Sequence, residues 1–181
     1  MNFETISAVA RDEILVAELY RLDIRHLARL TVGLELAPVS PVDLISALAT
    51  HSDARFQATL ILLFLRHPDF RQYLTQSLEQ LDTADALTLK LYYQAAVYLQ
   101  RELATSLASQ PQCREVLSDY FSAELGLPSA SLIRPSPLSA QPALEALGKL
   151  HQRHSGWQFN WAGSYRQQIP LFLKHLGTRH A

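Results

Sequence analysis

Cysteine, glycine and charge of one sign are all scarce in these 181 residues. The single cysteine, Cys113, has no partner for an internal disulfide and excludes a four-cysteine zinc site. Six glycines are few, and none lies between Gly33 and Gly126. That stretch therefore holds no glycine-rich phosphate loop, and the chain lacks the regular glycine punctuation of many all-β designs. Sixteen basic against seventeen acidic side chains leave a formal charge of −1. Such a balance argues against a nucleic-acid coat or a polybasic membrane binder, both of which carry a basic excess. The most apolar run, Leu60 to Leu65, is six residues long. A helix needs about 20 to cross a bilayer, so no membrane partner is expected. The opening segment MNFETISAVARDE has no basic region before an apolar core, so no secretory signal is expected and the cytoplasm is the expected compartment.

What the chain does have is apolar residues at helical spacing. Hydrophobic side chains make up 48% of it, enough to collapse around a core. A first helix is expected from about Ile6 to Leu30. Ser40-Pro41-Val42-Asp43 is a helix start, with serine to cap, proline in the first turn and an acid near the unpaired amides. A third helix follows Ser52-Asp53 and stops before Pro68, and a fourth runs from Asp69 to Leu81. A long fifth is expected from about Ala84 to Ser109, capped by Asp82 or Thr83. A sixth is expected from Gln112 to Phe121. Residues 126 to 142 hold four prolines and four serines with one charge, Arg134, and read as an extended connector. A helix from Ser139 or Pro142 to Arg153 and another from Tyr165 to Leu176, irregular at Pro170, complete the chain. The expected fold is all-α, a single domain over residues 1–181 with seven or eight helices.

Two segments set the architecture. Arg55 is the only charge from Ala54 to Leu65, and Lys90 is the only one from Ala86 to Gln100. A helix that is apolar on most sides is buried on most sides. These two are the expected central helices, with Leu60, Leu63, Phe64, Leu91, Ala95 and Leu99 at their contact.

The stretch SPVDLISALATHSDARFQATLILLFLRHPDF resembles a HEAT-type helical repeat, and Leu78 to Gln100 resembles a weaker second copy. This implies helix-pair packing and no chemistry. Over the whole chain, RHPDF, KLYYQAAVYL and WQFNWAGSY are similar to a family of small, uncharacterised helical proteins of bacteria. Members of that family lie beside nucleotidyltransferase-like proteins in toxin–antitoxin settings. Gly163-Ser164 is present here, but no Asp-x-Asp pair follows. The resemblance therefore implies the neutralising partner of such a toxin, not the transferase.

Candidate chemistry is sparse. Arg21 and His26, at Arg-x4-His spacing on the expected first helix, resemble the active motif of HEPN-type ribonucleases. Histidine there would move a 2′-hydroxyl proton, and arginine would stabilise charge developing on phosphate. The bland alternative is a solvated face with Asp23 and Glu18 as ion partners. Arg21, Arg25 and Arg29 fall at i, i+4 and i+8, so they form one basic stripe on the expected first helix, able to meet a phosphate backbone or an acidic partner surface. A helix-turn-helix reader over Pro41 to Arg66, and with it a transcriptional regulator, has the right spacing but too apolar a second helix. His151 and His154 stand at i, i+3 with no further ligand nearby, so no metal is expected, nor any other cofactor. Cys113 at a helix start reads as a packing residue. Trp157, Phe159, Trp161 and Tyr165 bring both tryptophans of the chain within five residues. They read either as a plug for the open end of the bundle or as a docking surface. The function expected is a helical interaction module, binding a protein partner or a second copy of itself through this segment or the arginine stripe.

Overall fold

A computed structural model describes residues 8–27, 37–108 and 115–177. The described residues form α-helices joined by turns and short 3-10 segments, with no strand among them. The helices are α1 (Ala8–Arg21), α2 (Pro41–Ala49), α3 (Ala54–Arg66), α4 (Leu74–Glu79), α5 (Thr83–Glu102), α6 (Ala104–Leu107), α7 (Gln141–Ser155), α8 (Trp161–Arg166) and α9 (Gln168–Gly177). This is the all-α, multi-helix architecture that the hydrophobic pattern predicts. Among the described residues no helix is long and apolar enough to cross a membrane.

The starts of the helices follow from local chemistry. The Ser40 hydroxyl accepts the Asp43 N–H at 3.1 Å, and Pro41 opens α2 where no N–H is needed. Asp53 caps α3 and Asp82 caps α5, each accepting a backbone N–H of the first turn. Gly156 ends α7 with φ +72°, a left-handed turn that any side chain would strain. Pro170 sits in the first turn of α9 after the chain has broken at Gln167, so it removes no helical hydrogen bond.

One continuous core runs from Ile14 to Phe172. α3 packs against α5 as its principal neighbour, α2 covers both, and α7 closes the far side of α5. Leu60, Leu63, Phe64, Leu91, Ala95 and Leu99 are all fully buried there. α5 is shielded on nearly every side over its last three turns, where residues 91 to 100 are all buried. Its polar side chains therefore reach out to satisfy the chain that wraps it. Tyr93 donates to the Ser118 carbonyl at 2.9 Å and Tyr98 to that of Pro128 at 2.6 Å. Gln100 accepts the Leu117 N–H and donates to the Glu115 carbonyl.

Five expected elements are corrected. The long fifth helix ends at Glu102, with α6 a separate turn after it, and the last helix begins earlier, at Trp161, and divides at Gln167 into α8 and α9. The first helix does not reach Leu30: it ends at Arg21, and Asp23 turns left-handed at φ +60°. The Ile24 N–H then closes on the Leu19 carbonyl at 2.8 Å, a Schellman-type stop. A left-handed non-glycine costs about 1–2 kcal/mol. Asp23 offsets it by pairing with Arg66 of α3, a buried guanidinium, and with Arg25 at 2.9 Å. Arg25 thus lies past the end of α1, and the basic stripe of Arg21, Arg25 and Arg29 does not stand on one helix. The fourth helix divides into a 3-10 turn, Pro68–Tyr73, and α4. Within the expected sixth helix, residues 115 to 121 are non-helical, because α5 takes their backbone groups. Arg29 and Cys113 lie outside the described residues.

Truncating a fully buried leucine costs its transfer free energy plus that of the cavity left behind. Leu63→Ala or Leu91→Ala should each destabilise the fold by about 2–5 kcal/mol, read as a lower urea midpoint at unchanged slope. A loss below about 0.5 kcal/mol would mean that α3 and α5 are not the centre of the packing.

Candidate binding cleft

A candidate functional site is a cleft of about 870 Å³ between the start of α3 and the α7–α8 region. Ala54, Arg55, Gln57 and Ala58 form the α3 wall, with His26 and Leu27 beside them. The opposite wall carries His151 and His154 of α7, Trp161 and Ser164 of α8, and Gln168 and Leu171 of α9. Trp157 and Phe159 stand at the rim on the connecting loop.

The aromatic segment divides by burial. Trp157 is 75% exposed and Phe159 58%, whereas Trp161 is 8% and Tyr165 1%. Trp161 stacks on the His151 ring with centroids 3.6 Å apart. Tyr165 reaches His151 through its hydroxyl, 2.6 Å from Nδ1, and both rings meet Tyr92 of α5 edge to face. The i, i+4 spacing on α8 puts Trp161 and Tyr165 on one face, toward the core. The two loop residues have no such constraint, because α7 has ended at Gly156 and α8 begins only after Asn160 has capped it. The segment therefore has a buried half and an exposed half. Trp161 and Tyr165 belong to the plug, and their burial removes them from an outward docking face.

His151 is the most perturbed base in the cleft. Burial pushes its imidazole down to about 3, with the positive charge available to His154 a second cause. It is neutral at physiological pH, and the same burial raises Tyr165 well above the usual phenol range. Their hydrogen bond joins two neutral groups. His154 faces the Thr88 hydroxyl at 3.2 Å. Among the described residues no three histidine, cysteine or acidic side chains gather as a metal site.

His26 does line the cleft, and its Nε2 lies 3.1 Å from the Thr59 hydroxyl. Arg21 pairs with Glu18 at 2.6 Å and is not a lining residue. The end of α1 separates the two, so the Arg-x4-His spacing does not place them on one helix. Arg25 covers the Tyr20 ring at 4.8 Å, in addition to its pair with Asp23. Arg55 is held by Asp53, and no acidic side chain is among the described lining residues. Sequence reasoning overlooked Thr88, Gln57 and Gln168 as cleft residues. No local signal in the sequence marks them.

Comparison with known proteins finds no matching family model, no matching curated protein and no matching solved structure.

A histidine with a folded pKa near 3 binds fewer protons than the unfolded chain between pH 3 and about 6.5. Its contribution to stability is complete above about pH 6.5 and is lost as pH falls toward the folded value. Stability should drop by up to about 1.4 kcal/mol per pH unit in that window from this group alone. Urea unfolding of the parent and of His151→Phe between about pH 6.5 and 4.5 checks this. The variant, which cannot titrate, should have the shallower slope. Equal slopes would show that His151 is not held neutral.

Proposed function

We propose that this chain is a helical interaction module that docks a protein partner on the rim formed by Trp157 and Phe159. The supporting observation is the exposure of these two large aromatics beside a cleft while their sequence neighbours Trp161 and Tyr165 are fixed in the core. An exposed tryptophan offers a large apolar surface with only two side-chain torsions to freeze on contact, which concentrates binding energy. Removing about 150 Å² of its surface from water gives a gross gain of about 4 kcal/mol. The finer version of this reading, a neutralising partner of a nucleotidyltransferase-type toxin, is supported by the sequence resemblance alone. The arginine stripe no longer contributes to the reading, because its residues do not share a helix.

A photoreactive phenylalanine analogue at position 157, expressed in the native host, should yield one crosslinked protein. The same analogue at the equally exposed Leu132 should not yield it. An adduct of twice the chain mass identifies a second copy as the partner. With that partner purified, Trp157→Ala should weaken binding by about 30-fold, equivalent to about 2 kcal/mol. The interaction should change little as salt shortens the screening length from about 10 Å to about 3 Å. No adduct at 157, or parental affinity in both Trp157→Ala and Phe159→Ala, would remove the rim as the interface.

A further inference from the structure

The cleft combines solvent-facing rings with neutral polar side chains. Trp157 and Phe159 are exposed on one loop, and Gln158 between them is exposed too. Phe159 meets Trp161 edge to face with centroids 5.1 Å apart, and Trp161 stacks in turn on His151 of α7. These three rings all line the cleft, so aromatic surface runs from the rim into its wall. The water-facing polar groups beside them are of one kind. Gln158 and Gln167 are exposed amides, and Ser52, Ser155 and Ser164 are exposed or half-buried hydroxyls. Each of these groups can both donate and accept. Arg55 is the one permanent charge among the described lining residues. Asp53 compensates it in a two-pronged pair, with contacts of 2.5 Å at Nη2 and 3.1 Å at Nε. His151 is held neutral by its burial, and no described lining residue is acidic. An ionic ligand would lose hydration here without gaining a counter-charge. A purely apolar one would cover amides and hydroxyls and leave them without partners.

We propose that this cleft binds a neutral saccharide, with a pyranose ring laid against the rim aromatics and its hydroxyls on the glutamine and serine side chains. One face of a pyranose ring is a patch of C–H bonds with slight positive charge, and it matches the negative face of an aromatic ring. The edge of the sugar is a ring of hydroxyls that donate and accept. Glutamine and serine do the same, so either direction of each hydrogen bond finds a match. The space of about 870 Å³ lies within the usual range for small-molecule sites. Hydrolysis of a glycosidic bond usually needs two carboxylates, and the described lining residues supply none, so the sugar would be held and not cleaved. This inference does not rest on a protein partner at the rim. It is read on the chain alone with added sugar, whereas crosslinking at position 157 is read without sugar, so either reading can fail separately.

Both tryptophans of the chain line the cleft, so intrinsic fluorescence reports on it without a label. The intact protein is titrated with cellobiose, maltose, lactose and N,N′-diacetylchitobiose, with calorimetry giving each Kd. Sorbitol, which has the hydroxyls but no ring face, is the control. At least one disaccharide should change the emission and saturate, and sorbitol should not. For the disaccharide that binds, the double variant Trp157→Ala/Phe159→Ala should lose at least about tenfold in affinity. Trp157→Phe, which keeps a ring, should lose less than that. Gln167→Ala should lose about fivefold, the value of one hydrogen bond. These positions are exposed, so the urea midpoints should stay close to the parent's, which separates lost binding from a lost fold. The proposal is overturned by any of three results. The first is no saturable change with any of the four disaccharides up to about 10 mM, where even a millimolar Kd would register. The second is sorbitol binding as tightly as the best disaccharide. The third is parental affinity in the double aromatic variant or in Gln167→Ala.

Discussion

Nearly every other element depends on the burial of α5 over its last three turns. A helix enclosed in this way cannot leave its side-chain polar atoms to water, so most find partners in the surrounding chain, with the Gln94 Oε1 left unpaired. Tyr93, Gln94, Tyr98 and Gln100 bind the segment from Glu115 to Pro128. Asp119, which accepts from Gln94, also accepts from the Ser122 hydroxyl and the Ala130 N–H. Burial alone would raise the Asp119 pKa, but these hydrogen bonds outweigh it and hold the carboxyl below its usual range. At the end of α5, Glu102 accepts from the Ala140 N–H and pairs with Arg166 at 2.7 Å. A proline-rich connector with little intrinsic structure is thereby fixed at both ends to one helix.

The same helix positions the cleft. Tyr92 sets the edge against which His151 and Tyr165 pack, and Thr88, one turn earlier, faces His154. The Glu102–Arg166 pair ties α8 to α5, and Arg166 also donates to Gln141 at the start of α7. α3, packed on another side of α5, supplies the facing wall. Rigid elements therefore hold the floor, while the loop from Gly156 to Asn160 is free to carry two aromatics into solvent. Burial divides the segment within nine residues: Trp161 and Tyr165 pack in the core, and Trp157 and Phe159 stand in solvent.

The sequence makes the helices with the fewest charges legible, because burial on all sides leaves a compositional mark. α3 and α5 are seen in the absence of charge from Leu60 to Leu65 and from Leu91 to Gln100. Caps such as Ser40 and Asp82 are legible because they act within four residues. The end of α1 was not, since Asp23 turns left-handed through a pairing with Arg66, 43 positions away. The non-helical path of residues 115 to 121 was hidden for the same reason, being dictated by glutamines and a tyrosine of α5. At the site, an aromatic cluster was visible, but its division into buried and exposed halves depends on where α8 begins. Gln168 and Thr88 carried no local signal, because an uncharged polar residue acquires its meaning from the wall it joins.

Acrylamide quenching of the two single-tryptophan variants tests this division most directly. In Trp161→Phe the remaining Trp157 should emit like tryptophan in water and be quenched almost as readily as the free amino acid. In Trp157→Phe the remaining Trp161 should emit at shorter wavelength and be protected, in keeping with its stacking on His151. Similar accessibility of the two indoles would contradict the account, because the segment would then be either all plug or all surface.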